Sequence, residues 1–122
     1  MKYLALVYYN EGIMQAMSQD EWDALNRECI ACVEDMSGSG HFVDGAPLHG
    51  TETATTLRVR DGQAMVTDGP FAETKEQLAG FYMLEARDIN EALRLAEKIP
   101  PARYGSVEVR PVRVLAPEQN AR

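Results

Sequence analysis

Four ionisable side chains stand close together in the middle of the chain. Asp68 opens the segment 68–76, and Glu73, Lys75 and Glu76 follow within it. A carboxylate beside apolar surface can have a raised pKa and act as a general acid or base. A neighbouring lysine can hold an anionic substrate or lower that pKa. We therefore predict Asp68 as a catalytic residue, with Lys75 and Glu73 as substrate-binding residues.

Two cysteines and two histidines are the other side chains suited to chemistry. Cys29 and Cys32 have the spacing of a redox or metal pair, but that role needs a helix N-terminus or a second ligand pair. They fall late in a predicted helix, whose core face is the stripe Trp22, Leu25, Cys29, Val33 and Met36 at helical spacing. We therefore interpret both cysteines as small residues of the apolar face of that helix. His41 follows a glycine at a strand start and His49 lies in a loop, and both are interpreted as solvated. We predict no metal site and no cofactor, because neither the ligand spacing of zinc sites nor a nucleotide-binding motif is found.

The segment 68–76 also has a purely structural interpretation, which stays open beside the catalytic one. Pro70 cannot donate to a sheet ladder, and Gly69 permits backbone angles that other residues avoid. A strand that reaches these residues must therefore leave its sheet. Asp68 is suited to accept hydrogen bonds from the loose backbone amides as an Asx-turn residue.

The second half of this segment predicts how the chain returns to a strand. Phe71 is expected to anchor the loop in the core. Residues 74–77 have the pattern of a capping box, with Thr74 as N-cap and Gln77 reaching back. This pattern predicts a single helical turn, closed by Gly80.

Two apolar stretches predict the central strands of a sheet. Tyr3–Tyr9 and Gly80–Ala86 are apolar on both faces, as expected of strands that are covered on two sides. Tyr9 and Tyr82 stand on these strands and are predicted to line the substrate pocket. The alternative for both tyrosines is packing at a subunit interface.

Helices and further strands surround these two stretches. Ser18 with Glu21, and Asp88 with Glu91, have the spacing of capping boxes and predict the starts of two helices. Asp61-Gly62 is a two-residue hairpin signal. The other predicted strands are Phe42–Ala46, Thr55–Arg60, Gln63–Thr67 and Ser106–Val114.

The order of these elements favours an α+β fold, a ferredoxin-like βαββαβ sheet with an inserted β-hairpin. Two helices cover only one face of such a sheet, and the other face would show large apolar residues to water. A monomer rarely exposes such a patch, so we predict a homodimer with the sheets face to face. Residues 1–115 are predicted as one domain and 116–122 as a C-terminal tail.

Composition and charge limit the kinds of binding partner that we expect. The chain has 122 residues, 45% of them hydrophobic, and a net charge of −7. An acidic chain without clustered basic residues is repelled by phosphate backbones, so no nucleic-acid partner is expected. No apolar run reaches the roughly 20 residues that span a bilayer, and no signal peptide is recognised. We therefore expect a cytoplasmic protein with no membrane partner.

The motif "DGPFAETKE", followed by "GFY", resembles the signature of the DGPF group of the YCII-related protein family. The stretches "TTLRVRDG", "NEALRLAEKIP" and "GSVEVRPV" are similar to that group too, so the resemblance covers nearly the whole chain. It implies a ferredoxin-like fold and a dimeric α+β barrel. Some relatives in the wider family are regarded as enzymes with a histidine–aspartate pair, but the surroundings of both histidines here differ. DGPF-group members are associated with ECF-type sigma factors.

Two functions are open from the sequence. The first is a dimeric protein that binds a small molecule. Such a protein either binds the molecule without changing it or is a cofactor-free enzyme with an acid–base carboxylate. Its ligand is expected to be anionic or carbonyl-bearing, with at most one negative charge because the chain itself is acidic. The alternative is a non-catalytic regulatory or accessory protein linked to an ECF-type sigma factor.

Overall fold

A computed structural model describes residues 1–117 of the chain. Most of the predicted tail, residues 118–122, lies outside the described residues. The elements of the main sheet and its helices are β1 Lys2–Tyr9, α1 Glu11–Gln15, α2 Gln19–Gly38, β2 Phe42–Pro47, β5 Gln77–Glu85, α3 Ile89–Ala96 and β6 Gly105–Pro111. The hairpin strands are β3 Thr55–Arg60 and β4 Gln63–Asp68, and short 3-10 helices span Thr51–Thr53 and Pro100–Tyr104.

The main sheet has four antiparallel strands in the order β2-β5-β1-β6. β1 and β5 are central, as their apolar residues on both faces predicted. α2 and α3 contribute buried residues to one and the same core cluster on this sheet. The architecture is α+β and compatible with a ferredoxin-like fold. No helix among residues 1–117 is long and apolar enough to cross a membrane.

Side-chain capping starts the helices. At α2 the Ser18 hydroxyl accepts from the Glu21 N–H at 3.1 Å, and Glu21 Oε1 accepts from the Ser18 N–H at 3.2 Å, which confirms the predicted capping box. At α3 the Asp88 carboxylate accepts from the Glu91 N–H at 2.9 Å. The short helix α1 was not predicted. Its N-cap is Asn10, whose side chain accepts a hydrogen bond from the first turn.

One face of the sheet carries the hydrophobic core. Alternate residues of β1, namely Tyr3, Ala5 and Val7, are buried there, because successive side chains of a strand point to opposite faces. Leu84 of β5 pairs with Tyr3 and is fully buried. α2 adds Met36 to the same cluster, and α3 adds alanine and leucine residues.

The centre of the opposite face of the sheet, formed by β1 and β5, is also apolar. It carries Leu4 and Leu6 of β1, and their partners on β5 are Met83 and Phe81. All four side chains are half-buried in the single chain. Their positions alternate with those of the core residues, so they lie on the face away from the core cluster. This is the face that the sequence predicts to meet a second copy.

The hairpin of β3 and β4 turns at Asp61 and Gly62. Both residues have positive φ, 51° and 74°, as a two-residue turn of this kind requires. Register places Leu57 opposite Val66, and these side chains are 60% and 64% exposed. The hairpin therefore shows apolar side chains to solvent in the single chain.

The hairpin ends at Gly69, where the chain turns back. Gly69 has φ of 97°, the conformation predicted for it. Its N–H donates to the Ala54 carbonyl at 2.8 Å, and its own carbonyl accepts from the Thr56 hydroxyl at 2.7 Å. The Asp68 side chain has no hydrogen bond within residues 1–117, so the predicted Asx turn is wrong. The backbone N–H of Gly69 closes the hairpin instead, through its hydrogen bond to the Ala54 carbonyl.

The predicted helical turn over residues 74–77 is also wrong. Gln77 begins β5, where it pairs with Tyr9, and its side-chain amide donates to the Thr74 carbonyl at 2.5 Å. Pairing with β1 therefore overrides the local capping pattern. The expected anchoring of Phe71 in the core is wrong as well, since its side chain is 78% exposed.

The last strand is shorter than predicted. β6 is an edge strand and ends at Pro111, not at Val114. The Val112 N–H still donates to the Lys2 carbonyl at 2.9 Å. Pairing stops there because Lys2 is the first residue of β1. Pro111 thus stands at the sheet edge, where a residue without an N–H is tolerated.

Candidate functional site

A cleft of about 510 Å³ opens between α2 and the half of the sheet that β2 and β5 form. Trp22, Leu25 and Val33 of α2 form one wall. Val7, Phe42 and Leu48 contribute to the other side. The lining is thus mainly apolar, as in most small-molecule sites.

The cleft exists because the sheet presents small residues to the middle of α2. Gly45, Ala79 and Gly80 line it and leave the space unfilled. The two glycines are required by the close approach of the β2 and β5 backbones. A Cβ at Gly80 would lie 2.8 Å from the Ala46 carbonyl oxygen, and one at Gly45 would lie 2.7 Å from the Phe81 carbonyl oxygen.

The apolar stripe of α2 is consequently only partly buried. Leu25 and Met36 are buried, whereas Cys29 and Val33 are half-buried and Trp22 is 37% exposed. From their helical spacing, all five residues were predicted to pack against the core. The structure instead uses part of this stripe as the wall of the cleft.

Tyr82 supplies the main polar group of the cleft. Its ring packs edge-to-face on Phe42, with centroids 6.1 Å apart and planes at 87°, which fixes its orientation. Its hydroxyl has no hydrogen-bond partner within the part of the chain that the structure describes. Burial raises the pKa of Tyr82, and the nearby Cys29 and Cys32 raise it further. The phenol therefore stays protonated and is available as a donor.

Tyr9 lines the same cleft. Burial raises its pKa, and Glu11 and Cys29 raise it further, so this phenol is protonated as well. Its hydroxyl, too, has no hydrogen bond to another of the described residues.

The two cysteines are free thiols on α2. Burial is the largest cause that raises the pKa of each, and in Cys29 the neighbouring Cys32 adds to it. The Cys32 thiol donates to the Lys98 carbonyl at 3.6 Å, whereas Cys29 lines the cleft. Raised pKa values keep both thiols neutral, which fits a packing role and not a reactive thiolate.

The predicted site residues fall into two groups. Tyr9 and Tyr82 line the cleft, and their role in substrate binding stays a prediction. Asp68, Glu73 and Lys75 are exposed and lie outside its lining. Within one chain these five residues do not form a single site, and the roles of Asp68, Glu73 and Lys75 stay predictions.

A second, more polar cavity of about 320 Å³ adjoins the cleft, with Tyr9 and Trp22 common to both. Glu11 lines it, and its carboxylate accepts from the Thr51 N–H at 2.8 Å and from the Thr51 hydroxyl at 2.7 Å. The exposed His49 lines it as well. Glu11 thereby ties the start of α1 to the loop after β2.

The charged side chains that line the two cavities are acidic. Glu34 lines the cleft, and Glu11 and Glu52 line the second cavity. No lysine or arginine lines either cavity among the described residues. The cleft therefore has no side chain that would neutralise an anion.

The sequence missed Trp22 and Cys29 as site residues because their spacing fits a packed stripe equally well. A signal was present in Ala79-Gly80, two small residues in a strand that is otherwise made of large apolar ones. Small residues at the centre of a sheet leave room above it for a ligand or for another backbone.

Two comparisons with known proteins agree on the family. A family model described as "YCII-related domain" matches residues 1–116. An uncharacterized protein of Rhizobium meliloti (strain 1021) is 39% identical over 119 residues, which cover 96% of this chain and 96% of that protein. These matches confirm the family resemblance of the sequence motifs. The chain belongs to the YCII-related domain family.

Proposed function

We propose that the protein binds a small molecule in the cleft between α2 and the sheet, and that it does so as a homodimer. The single observation that carries the binding function is the Tyr82 hydroxyl, a donor without a partner among residues 1–117, in the lining of an apolar cleft of about 510 Å³. Ligand sites typically have volumes of about 300–1,000 Å³ and combine apolar walls with a few polar groups. Tyr9 adds a second such group to the lining.

The surface area of the chain supports a second copy as the partner of the open sheet face. A compact monomer of this mass exposes about 6,600 Å², whereas this chain exposes 8771 Å². The excess of about 2,200 Å² per chain amounts to about 4,300 Å² for two copies, within the roughly 2,000–5,000 Å² in total that obligate dimers bury. Apolar side chains of the open sheet face and of the hairpin supply surface of the right character.

An acid–base role of Asp68 would depend on this dimer. In one chain Asp68 ends β4 and is exposed, away from the lining of the cleft. Catalysis at the cleft would therefore require the segment 68–76 of a second copy to reach around the sheet edge, because the proposed interface lies on the sheet face opposite α2. Binding by Tyr9 and Tyr82 has no such requirement.

Replacing Cys29 with Phe is expected to abolish binding. Cys29 lines the cleft and is half-buried, so the added ring would occupy space that is now empty. Ligands that bind only the folded state raise the melting temperature. A metabolite library screened by thermal shift should therefore give hits with the wild type that disappear in Cys29→Phe.

Arg27→Phe is the matched control, because Arg27 is exposed on the same helix and lies outside the cleft. This variant should keep every hit of the wild type. Hits that survive in Cys29→Phe, or a library without any hit on the wild type, would contradict binding in the cleft.

A further inference from the structure

We infer that the ligand of this cleft is an uncharged, largely apolar molecule that carries a hydrogen-bond acceptor such as a ketone oxygen, which rests on the small-molecule function proposed above. Two observations lead to this class of ligand. Tyr82, Tyr9 and Cys29 offer donor hydrogens to the cleft, and no lysine or arginine among the described residues lines it. It excludes the anionic ligand that the sequence left open.

Three polar side chains along the cleft carry donor hydrogens. Tyr82 and Tyr9 carry hydroxyls without partners among the described residues, and Cys29 carries a neutral thiol. Burial keeps all three protonated, since it is the largest cause that raises each pKa. Each group thus presents a hydrogen to the cleft, and a bound molecule must supply acceptors to use them.

An anionic ligand would be poorly compensated in this place. Moving a carboxylate into an apolar site is costly unless a cation is paired with it. The described lining of the cleft contains no lysine or arginine, and its ionised residue is Glu34, an acid.

A cationic ligand fits no better. An ammonium group carries only donors, so it could use the oxygen of a phenol but would leave the hydroxyl hydrogen unpaired. Glu34 is exposed, so its attraction for a cation is screened by water. A neutral acceptor therefore matches the half-buried hydroxyls and thiol best.

The apolar walls of the cleft indicate what the rest of the ligand is made of. Trp22 and Leu25 on one side face Val7 and Phe42 on the other, and all are apolar. A compact hydrocarbon body gains free energy in proportion to the apolar area that it buries there. One polar group on such a body is enough to reach Tyr82.

Three probes of one shape and different charge test this class: cyclooctanone, cyclooctylamine and cyclooctanecarboxylate. Trp22 is the single tryptophan of the chain and lines the cleft, so its fluorescence reports binding. Equilibrium dialysis gives an independent measure of each Kd. Cyclooctanone should bind at least tenfold more tightly than either charged probe.

Tyr82→Phe removes the donor and keeps the ring, so it should weaken cyclooctanone binding about tenfold. Tyr8→Phe is the matched control, because Tyr8 lies next to Tyr9 in β1 but outside the lining of the cleft. This variant should leave the Kd for cyclooctanone unchanged.

The outcomes separate the ligand class from the binding function. Equal or tighter binding of the carboxylate or the amine would overturn the class and leave a small-molecule site in place. An unchanged Kd in Tyr82→Phe would also overturn the class, since the donor would then be unused. If dialysis detects no binding of any of the three probes, the proposed function itself fails.

Discussion

Replacing Leu6 with Asp is expected to convert the protein from a dimer into a monomer. Leu6 lies on β1, a central strand, on the face away from the core, between Phe81 of β5 and Glu108 of β6. In a face-to-face dimer each copy would bury an unpaired carboxylate. A penalty of about 4 kcal/mol weakens association about a thousandfold.

Analytical ultracentrifugation measures this effect. The wild type should sediment at micromolar concentration with twice the 13.6 kDa mass of the chain, and Leu6→Asp should sediment as a monomer. Leu93→Asp is the control, because Leu93 lies on α3 with 48% of its side chain exposed. That variant should remain dimeric, whereas a monomeric wild type, or a dimeric Leu6→Asp, would contradict the sheet-face interface.

Replacing Gly105 with Ala is expected to destabilise the fold by about 3 kcal/mol or more. Gly105 begins β6 and pairs with Tyr9. An added Cβ would overlap the Tyr8 carbonyl oxygen and lie 2.8 Å from the Tyr9 Cα. These are backbone atoms of a central strand, which cannot move without disturbing β1. Urea unfolding of both proteins gives the difference in free energy.

Gly38→Ala is the matched control for the same chemical change. Gly38 is the last residue of α2, and an added Cβ there would meet nothing within 4 Å. A helical glycine replaced by alanine gains about 0.5–1 kcal/mol. The two substitutions should therefore shift stability in opposite directions. Equal stability of Gly105→Ala and the wild type would show that β6 does not approach β1 as described.

The predictable parts of the fold are those that neighbouring residues determine. The capping box of Ser18 and Glu21, and the Asp61-Gly62 turn, depend on side chains and backbone angles within a few positions. The central places of β1 and β5 followed from their apolar residues on both faces. The segment 74–77 was mispredicted because pairing of Gln77 with Tyr9, far away in sequence, outweighs a local capping pattern.

The cleft itself could not be predicted for a similar reason. Tyr9 and Tyr82 were assigned from their strands to a pocket shared with Asp68 and Lys75, whereas the cleft that they line does not include those two residues. Trp22 and Cys29 were assigned to the core because helical spacing shows which residues share a face, but not how closely that face approaches the sheet. The approach depends on Ala79 and Gly80, whose small size matters only once they lie opposite α2.

Amide NMR of the wild-type protein titrated with cyclooctanone tests ligand binding in the cleft between α2 and the sheet. We expect the largest chemical-shift changes at the Trp22 indole N–H and at the amides of Cys29 and Gly80, which line the cleft. The amides of Asp68 and Lys75 should change little, because both residues lie outside that lining. Shift changes confined to the segment 68–76, with Trp22 and Cys29 unmoved, would contradict the account.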